Sequence, residues 1–210
     1  MRISEIFYSI QGEGTNTGAP AIFIRLAGCH LRCVWCDSKF TWDMKSGKEM
    51  STAAIIKVIK KYPCKHLVIT GGEPLIQQSG IKELLSKLQD YYVEIETSGT
   101  IVSFINEFIN QYNCSPKLKN SKNRPMALQK FPEEKTWYKF VVDKKTDVKE
   151  IKEMMKKYSL PKEKIILMPQ GITREEMTKK SPWIAEICKK ENWHFSTRLH
   201  IEIWGNKRGV

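Results

Sequence analysis

The sequence predicts an α/β protein with a mostly parallel sheet and helices on its outside. Short apolar or β-branched runs, typical of buried strands, recur at 21–26, 66–70, 93–97, 112–115, 137–142 and 164–168. Amphipathic stretches separate them, and this alternation favours parallel strands joined by helical crossovers. Because eight strand–helix units need about 250 residues, the 210 residues predict one domain holding a partial, open barrel of about six units.

Capping residues mark where the outer helices begin. The predicted helices are 53–61 after Ser51-Thr52, 81–88 after Ser79, 101–109 after Thr100, and 148–158 after Thr146-Asp147. Two more are predicted near the end of the chain. One follows the capping box Thr173-Arg-Glu-Glu176, and the other begins at Ser181-Pro182, a cap followed by proline at the first helical position.

The chain is basic, with a formal net charge of +12. Its lysines are spread over 57–61, 117–130, 144–164 and 189–190 rather than gathered in one stripe, which indicates solvated faces and no nucleic-acid partner. The first residues lack the apolar core of a secretory signal and nothing reads as a membrane span, so we expect a cytoplasmic protein. Residues 115–132, rich in Lys, Asn, Ser and Pro, predict a long surface loop or an active-site lid.

Three of the six cysteines are grouped, at Cys29, Cys33 and Cys36, directly after the strand 21–26. A structural zinc site closes with four protein ligands, and the neighbouring His30 and Asp37 are too close in sequence to complete one without strain. Three thiolates on one short loop favour a four-iron cluster with one iron open to an exogenous ligand. A zinc site and inert or redox-active thiols remain as alternatives. Cys64, Cys114 and Cys188 are scattered, and we expect them to be buried small hydrophobes.

A second motif, Thr70-Gly71-Gly72-Glu73-Pro74, follows the apolar run 66–70. Ligands bind at the carboxyl ends of strands in open α/β sheets, and two glycines allow the backbone to approach one. Glu73 is a candidate acceptor for an ammonium group. A plain strand-to-helix turn is the alternative.

Together, Cys29-x3-Cys33-x2-Cys36 and Gly71-Gly72-Glu73-Pro74 resemble the radical S-adenosylmethionine (SAM) superfamily. The chain more narrowly resembles the 7-carboxy-7-deazaguanine synthase family in Tyr8-Ser-Ile-Gln-Gly-Glu-Gly14, Arg25-Leu-Ala-Gly-Cys29, Cys36-Asp-Ser38, Glu96-Thr-Ser-Gly99, Ser115-Pro-Lys117 and Trp204-Gly-Asn-Lys-Arg-Gly-Val210. The resemblance implies a modified partial (β/α)6 radical-SAM barrel over residues 1–210, acting as a homodimer.

The implied activity is that of a carbon–nitrogen lyase on the route to queuosine and other 7-deazapurines. Such an enzyme converts 6-carboxy-5,6,7,8-tetrahydropterin to 7-carboxy-7-deazaguanine with loss of ammonia. Its reduced [4Fe-4S] cluster cleaves SAM to a 5′-deoxyadenosyl radical, which removes hydrogen from C6 of the pterin and later returns it. The resemblance also implies Mg2+ on the substrate carboxylate and an electron donor such as flavodoxin.

Site residues are implied by the same resemblance. The cluster ligands would be Cys29, Cys33 and Cys36, and Ser38 would bind Mg2+. The SAM contacts would be Trp35, Gly72, Glu73, Gly99, Ser115, Pro116, Lys117, Met168, Pro169 and Gln170. The pterin contacts would be Ile10, Gln11, Gly12, Arg25, Thr97 and Val210. Taken singly, Arg25 could be an ion-paired strand residue, Thr97 a strand former and Ser38 a turn residue.

Two rival functions fit part of the sequence. A glycyl-radical-enzyme activase also carries Cys-x3-Cys-x2-Cys in a chain of this size, but Gln11-Gly-Glu-Gly14 and the ending after Trp204 argue against it. A metal-stabilised nucleic-acid-binding module is supported only by the charge and the thiols. Among the four histidines, His200 is the best candidate for a role at the substrate edge.

Overall fold

The computed structural model describes residues 1–210 and contains a nine-stranded sheet and five α-helices. The strands are β1 Arg2–Ile10, β2 Pro20–Leu26, β3 Lys48–Glu49, β4 His66–Gly71, β5 Tyr92–Thr97, β6 Gln111–Cys114, β7 Thr136–Val142, β8 Ile165–Pro169 and β9 His194–Phe195. The helices are α1 Thr52–Ile59, α2 Gln78–Leu85, α3 Asp147–Tyr158, α4 Arg174–Glu191 and α5 Leu199–Trp204. None of these helices is both long and apolar enough to span a bilayer.

The sheet order is β3-β1-β2-β4-β5-β6-β7-β8-β9, with β3 and β9 at its two edges. From β2 to β9 every neighbouring pair is parallel, whereas β1 pairs antiparallel with β2 and β3. The six predicted strands are β2 and β4 to β8, which confirms the mostly parallel α/β sheet. Since parallel strands end at the same edge, the loops after β2, β4, β5, β6 and β8 meet on one side of the sheet.

Strand β1 was not predicted. It forms an antiparallel hairpin with β2, in which Glu5 faces Arg25 and Phe7 faces Phe23, and the two phenylalanine rings stack with centroids 5.0 Å apart. Its Glu5 and Ser9 line a cavity described below rather than the apolar core. A strand with polar residues inside a cavity lacks the continuous apolar run by which buried strands are predicted.

The predicted helix over 101–109 is wrong. The segment is irregular apart from one 3-10 turn, Asn106–Phe108. The Gln78 side chain accepts a hydrogen bond from Phe104 N and donates one to the Val102 carbonyl, and the buried Ser103 shares one with Tyr112. These side chains satisfy backbone groups that a helix would otherwise pair, so tertiary contacts outweigh the local preference.

The two predicted helices after Thr173 are one. Helix α4 begins with the predicted capping box at Thr173 and continues through Pro182 for 18 residues. An interior proline costs about 3 kcal/mol in an isolated helix. Here Met177, Ile184 and Cys188 are buried along the helix on both sides of the proline, and their burial on the sheet supports its continuation.

Residues 115–132 are neither wholly a surface loop nor a free lid. Leu118, Ser121 and Phe131 are at most 5% exposed, and the only regular element is the 3-10 turn Lys119–Ser121. The segment packs against the cysteine loop, residues 27–38, because Val34 N donates to the Ser121 carbonyl at 3.1 Å.

Candidate active site

A cavity of about 270 Å³ opens at the carboxyl-terminal edge of the parallel strands. Its wall combines the loops after five strands with the β1–β2 hairpin and residues 206–210. Most site residues named from the sequence line it: Ile10, Gln11, Gly12, Arg25, Cys29, Cys33, Trp35, Cys36, Ser38, Gly72, Thr97, Ser115, Lys117, Met168, Pro169, Gln170 and Val210. Glu73, Gly99 and Pro116 do not.

The three exceptions have structural reasons. Glu73 is 1% exposed, and its carboxylate accepts hydrogen bonds from Thr97 Oγ1 at 2.7 Å and from Ser98 N at 2.8 Å. It therefore ties the end of β4 to the end of β5 and does not face the cavity. A Cβ on Gly99 would lie 2.2 Å from Cys114 Sγ, so Gly99 packs into the core. Pro116 lines a smaller neighbouring pocket.

The cysteine loop is held at both of its ends. Gly28 N donates to the Thr41 carbonyl at 2.7 Å and Cys29 N to the Trp42 carbonyl at 3.1 Å, while Cys36 N donates to the Cys33 carbonyl at 3.0 Å. Cys33 is buried, and Cys29 and Cys36 are partly exposed. Of the scattered cysteines, Cys114 and Cys188 are buried as expected and Cys64 is partly exposed, against expectation.

The chemistry of this loop fits an iron–sulfur cluster better than a zinc ion. A structural zinc site closes with four protein ligands, whereas this loop brings three thiols to one cavity, which suits a four-iron cluster with one iron left without a protein ligand. Burial, with the nearby negative groups, raises the pKa of the Cys29 and Cys36 thiols. Both therefore stay protonated at neutral pH until a metal centre withdraws charge from the sulfur.

The two-glycine turn after β4 presses directly on the start of the cysteine loop. Gly72 N donates to the Leu26 carbonyl at 3.0 Å, and Glu73 N donates to the Gly28 carbonyl at 2.8 Å. A Cβ built on Gly72 would lie 2.1 Å from the Gly28 carbonyl oxygen and 2.9 Å from Cys29 Cβ. Only glycine permits this approach.

Gly72→Ala is therefore expected to push the cysteine loop away from β4. Inserting atoms into a packed contact costs about 1–3 kcal/mol, and we expect urea unfolding to show a loss in that range and reconstitution to leave less iron bound. Ser79→Ala is a control, since Ser79 is exposed on α2 and lies away from the cysteine loop. A Gly72→Ala protein with wild-type stability and iron content would contradict the contact.

Buried charges form the floor of the cavity. Lys139 Nζ, 3% exposed, lies 2.6 Å from Glu13 Oε2 and 2.7 Å from Glu96 Oε2. Arg198 Nε lies 2.9 Å from Glu13 Oε1, and the same guanidinium also pairs with Asp37. These ion pairs join the β1–β2 loop, β5, β7, the cysteine loop and the start of α5.

The balance of burial and charge differs between the two glutamates. Burial would raise the pKa of Glu13, but Lys139 and Arg198 outweigh it and hold that pKa well below its usual value. Burial dominates at Glu96, whose pKa is raised despite Lys139. Glu13 is thus a fixed anion, and Glu96 is the carboxyl more easily protonated.

Arg25 and Ser38 lie side by side above this floor. Arg25 Nε is paired with Glu5 Oε1 at 2.7 Å, and Arg25 Nη1 lies 3.5 Å from Ser38 Oγ. Ser38 Oγ donates to Asp37 Oδ1 at 2.8 Å. Because Glu5 engages only one edge of the guanidinium, the terminal nitrogens remain available to a ligand carboxylate.

The last residues of the chain cross one wall of the cavity. Ser9 Oγ donates to the Val210 carbonyl at 2.5 Å, and Arg208 lies over the Phe40 ring at 3.6 Å and 3.3 Å from Glu5. His200 lines the cavity and packs on Gly12, where a Cβ would lie 2.0 Å from its Nδ1. Burial, with Arg198 and Lys139 nearby, lowers the pKa of His200 despite Glu13 and Asp37.

Comparisons with known proteins agree with this geometry. The family model "4Fe-4S single cluster domain" matches residues 10–122. The 7-carboxy-7-deazaguanine synthase of Pyrobaculum aerophilum is 39% identical, over 100% of this chain and 97% of the relative. The 7-carboxy-7-deazaguanine synthase of Rhodopirellula baltica is 33% identical, over 99% of this chain and 88% of the relative. The crystal structure of QueE from Escherichia coli superposes with a TM-score of 0.75 at 29% identity, covering 95% of this chain and 94% of that one.

Proposed function

The chain belongs to the 7-carboxy-7-deazaguanine synthase family, and we propose that its cavity converts 6-carboxy-5,6,7,8-tetrahydropterin to 7-carboxy-7-deazaguanine with loss of ammonia. It is a radical SAM lyase of queuosine biosynthesis. One observation carries the assignment of the site: the three cysteines, the two-glycine turn and the Arg25–Ser38 pair line the same cavity.

Cys29, Cys33 and Cys36 are the proposed ligands of the [4Fe-4S] cluster. When bound, the cluster supplies the electron that cleaves SAM to a 5′-deoxyadenosyl radical. The protein's own part is to hold three thiolates and leave one iron without a protein ligand. The buried charges that line the cavity are already paired, so they need no bulk water to solvate them.

SAM is proposed to bind between the cysteine loop and the ends of β4, β6 and β8. Trp35 and Lys117 form one wall, with Lys117 Nζ 5.5 Å from the centre of the Trp35 ring and 2.9 Å from Ser115 Oγ. Gly72 offers backbone on the adjacent wall, and Met168, Pro169 and Gln170 line the far side. Glu73, Gly99 and Pro116 would support these contacts from behind, through the hydrogen bonds and packing described above.

The pterin is proposed to lie beside β1 and β2. Arg25 would bind its carboxylate through the terminal guanidinium nitrogens, which Glu5 leaves free. Ile10, Gln11, Gly12, Thr97 and Val210 line the same cavity and would contact the ring or its edge. The paired charges of Glu13, Lys139 and Glu96 beneath would orient polar ring atoms and, through Glu96, exchange a proton with them.

Ser38 is proposed to bind Mg2+ together with the substrate carboxylate. A neutral hydroxyl is a weak ligand for a hard cation by itself, so the substrate must supply charge. Asp37 accepts a hydrogen bond from the Ser38 hydroxyl and is itself paired with Arg198, which fixes where the lone pairs of the Ser38 oxygen point.

Ser38→Ala is expected to raise the Mg2+ concentration needed for half-maximal turnover by at least about tenfold. A steady-state Mg2+ titration of turnover measures this. The control is Ser46→Ala, because Ser46 is exposed and hydrogen-bonds only to the Asp43 carbonyl. Equal Mg2+ dependence in Ser38→Ala and wild type would remove Ser38 from the metal site.

We also propose a single radical SAM domain over residues 1–210, a homodimer, a cytoplasmic location and no nucleic-acid partner. One sheet and one apolar cluster of 33 residues support the single domain. Reduced free thiols suit the cytoplasm. The formal charge of +12 suits an acidic electron donor such as flavodoxin.

Anaerobic reconstitution with iron and sulfide tests this function. The expected product is a brown protein with about four irons per chain that cleaves SAM to 5′-deoxyadenosine when dithionite is added. A colourless protein that binds zinc and leaves SAM intact would overturn the proposal.

A further inference from the structure

The segment 119–124, called the clasp below, is hydrogen-bonded to the cysteine loop on the side away from the cavity. Three hydrogen bonds run from the loop to the segment: Arg32 N to Asn123 Oδ1 at 2.8 Å, Val34 N to the Ser121 carbonyl at 3.1 Å, and Trp35 Nε1 to Asn120 Oδ1 at 3.1 Å. Ser121 is fully buried, and Lys122 adopts a left-handed conformation with φ 62°. The clasp thus places consecutive side chains against the loop.

Within the clasp, only Asn123 contacts a thiol. Its Nδ2 donates to Cys33 Sγ at 3.0 Å and to Ser121 Oγ at 3.1 Å. The amide orientation is fixed by chemistry, because the backbone N–H of Arg32 can only donate and so must face the amide oxygen. The amide nitrogen is therefore the atom that faces the sulfur.

We propose that Asn123 is a positioning residue that acts through Cys33, donating an N–H···S hydrogen bond that raises the reduction potential of the cluster. Reduction adds negative charge that is shared with the ligand sulfurs, and a donor aimed at one sulfur stabilises that charge. This role rests on the proposed cluster site. It goes beyond loop anchoring, since the contacts of Ser121 and Asn120 anchor the loop without touching a sulfur.

Asn123→Asp separates the two roles. The substitution keeps the oxygen that accepts from Arg32 N and replaces the donor with an anionic oxygen. At pH 8 and fixed potential, we expect the ratio of reduced to oxidised cluster to fall at least about tenfold, equal to about 59 mV for one electron. Asn123→Ala should move the midpoint in the same direction. Redox titration monitored by electron paramagnetic resonance measures both.

Asn120→Ala is the matched control, because it removes the hydrogen bonds of Asn120 to Trp35, Val141 and Asp147 and leaves the thiols untouched; its midpoint should equal that of wild type. A second measurement needs no variant: in wild-type protein with 15N-labelled asparagine, pulsed electron paramagnetic resonance should detect a coupled 15N nucleus at the reduced cluster.

The outcomes are distinguishable. Iron-loaded Asn123→Asp and Asn123→Ala proteins with the wild-type midpoint would overturn the role of Asn123 and leave the proposed function standing. If the variants do not load iron, absence of 15N coupling in the wild type would overturn the proposed role of Asn123. A wild-type protein that itself binds no cluster would instead refute the proposed function.

Discussion

Cys33→Ala is expected to abolish both cluster binding and turnover, lowering kcat by at least about 10³-fold out of a rate enhancement that exceeds 10⁶ in typical enzymes. Cys33 is the buried member of the three cysteines. Only three thiols are available on the loop, so removing one leaves two protein ligands for the cluster.

Iron content and 5′-deoxyadenosine formation after anaerobic reconstitution measure this effect. Cys188→Ala is the control. Cys188 is equally buried but lies on α4, and its thiol donates a hydrogen bond to the His194 carbonyl. It should keep its iron and its turnover. Turnover retained in Cys33→Ala would remove the cluster from the mechanism.

Lys139→Met is expected to destabilise the fold by about 3–5 kcal/mol, the usual cost of removing one partner from a buried ion pair. The change leaves Glu13 and Glu96, each 18% exposed, close to one another, with Arg198 as the only cation still paired with Glu13. Surface pairs behave differently because water screens them. Lys65→Met, which breaks the exposed pair with Asp90, should leave stability unchanged within error.

The sign of the pH dependence is also predicted. In wild type the lowered pKa of Glu13 stabilises the fold. This stabilisation is complete at pH values above the pKa of Glu13 in the unfolded chain, and it is lost as the pH falls toward the pKa of Glu13 in the folded protein. Without Lys139 the folded pKa values of Glu13 and Glu96 should rise, so both carboxyls favour the fold only when protonated. Urea unfolding of the metal-free protein should therefore show a larger deficit at pH 8 than at pH 5. An equal deficit at both values would contradict the ion pairs.

The six strands could be predicted because apolar or β-branched residues dominate most of them and are buried in the sheet. β6, with Gln111 and Asn113 among its four residues, gave the weakest signal. β1 escaped prediction because its Glu5 and Ser9 face a cavity and not the core. The error at 101–109 has a different cause. Gln78, over twenty residues away, supplies hydrogen bonds to that backbone, and a single sequence does not reveal such a partner.

The cavity wall could be predicted where motifs carry it, as at Cys29 to Ser38. The paired charges in the cavity floor were not predicted. Glu13 and Arg198 are 185 positions apart in the sequence, and no local sequence pattern indicates that they form an ion pair. Lys139 did leave a trace in the sequence, since one lysine within the apolar strand 136–142 must find a buried partner. Glu13 and Glu96 lay within the quoted motifs without an assigned role.

Anaerobic turnover of 6-carboxy-5,6,7,8-tetrahydropterin by the iron-loaded protein, with SAM, Mg2+ and dithionite, tests the proposed activity most directly. Mass spectrometry should detect 7-carboxy-7-deazaguanine and an equal amount of ammonia, with many product molecules formed per SAM consumed. An iron-loaded protein that cleaves SAM reductively but leaves the pterin unchanged would contradict the assignment of this cavity.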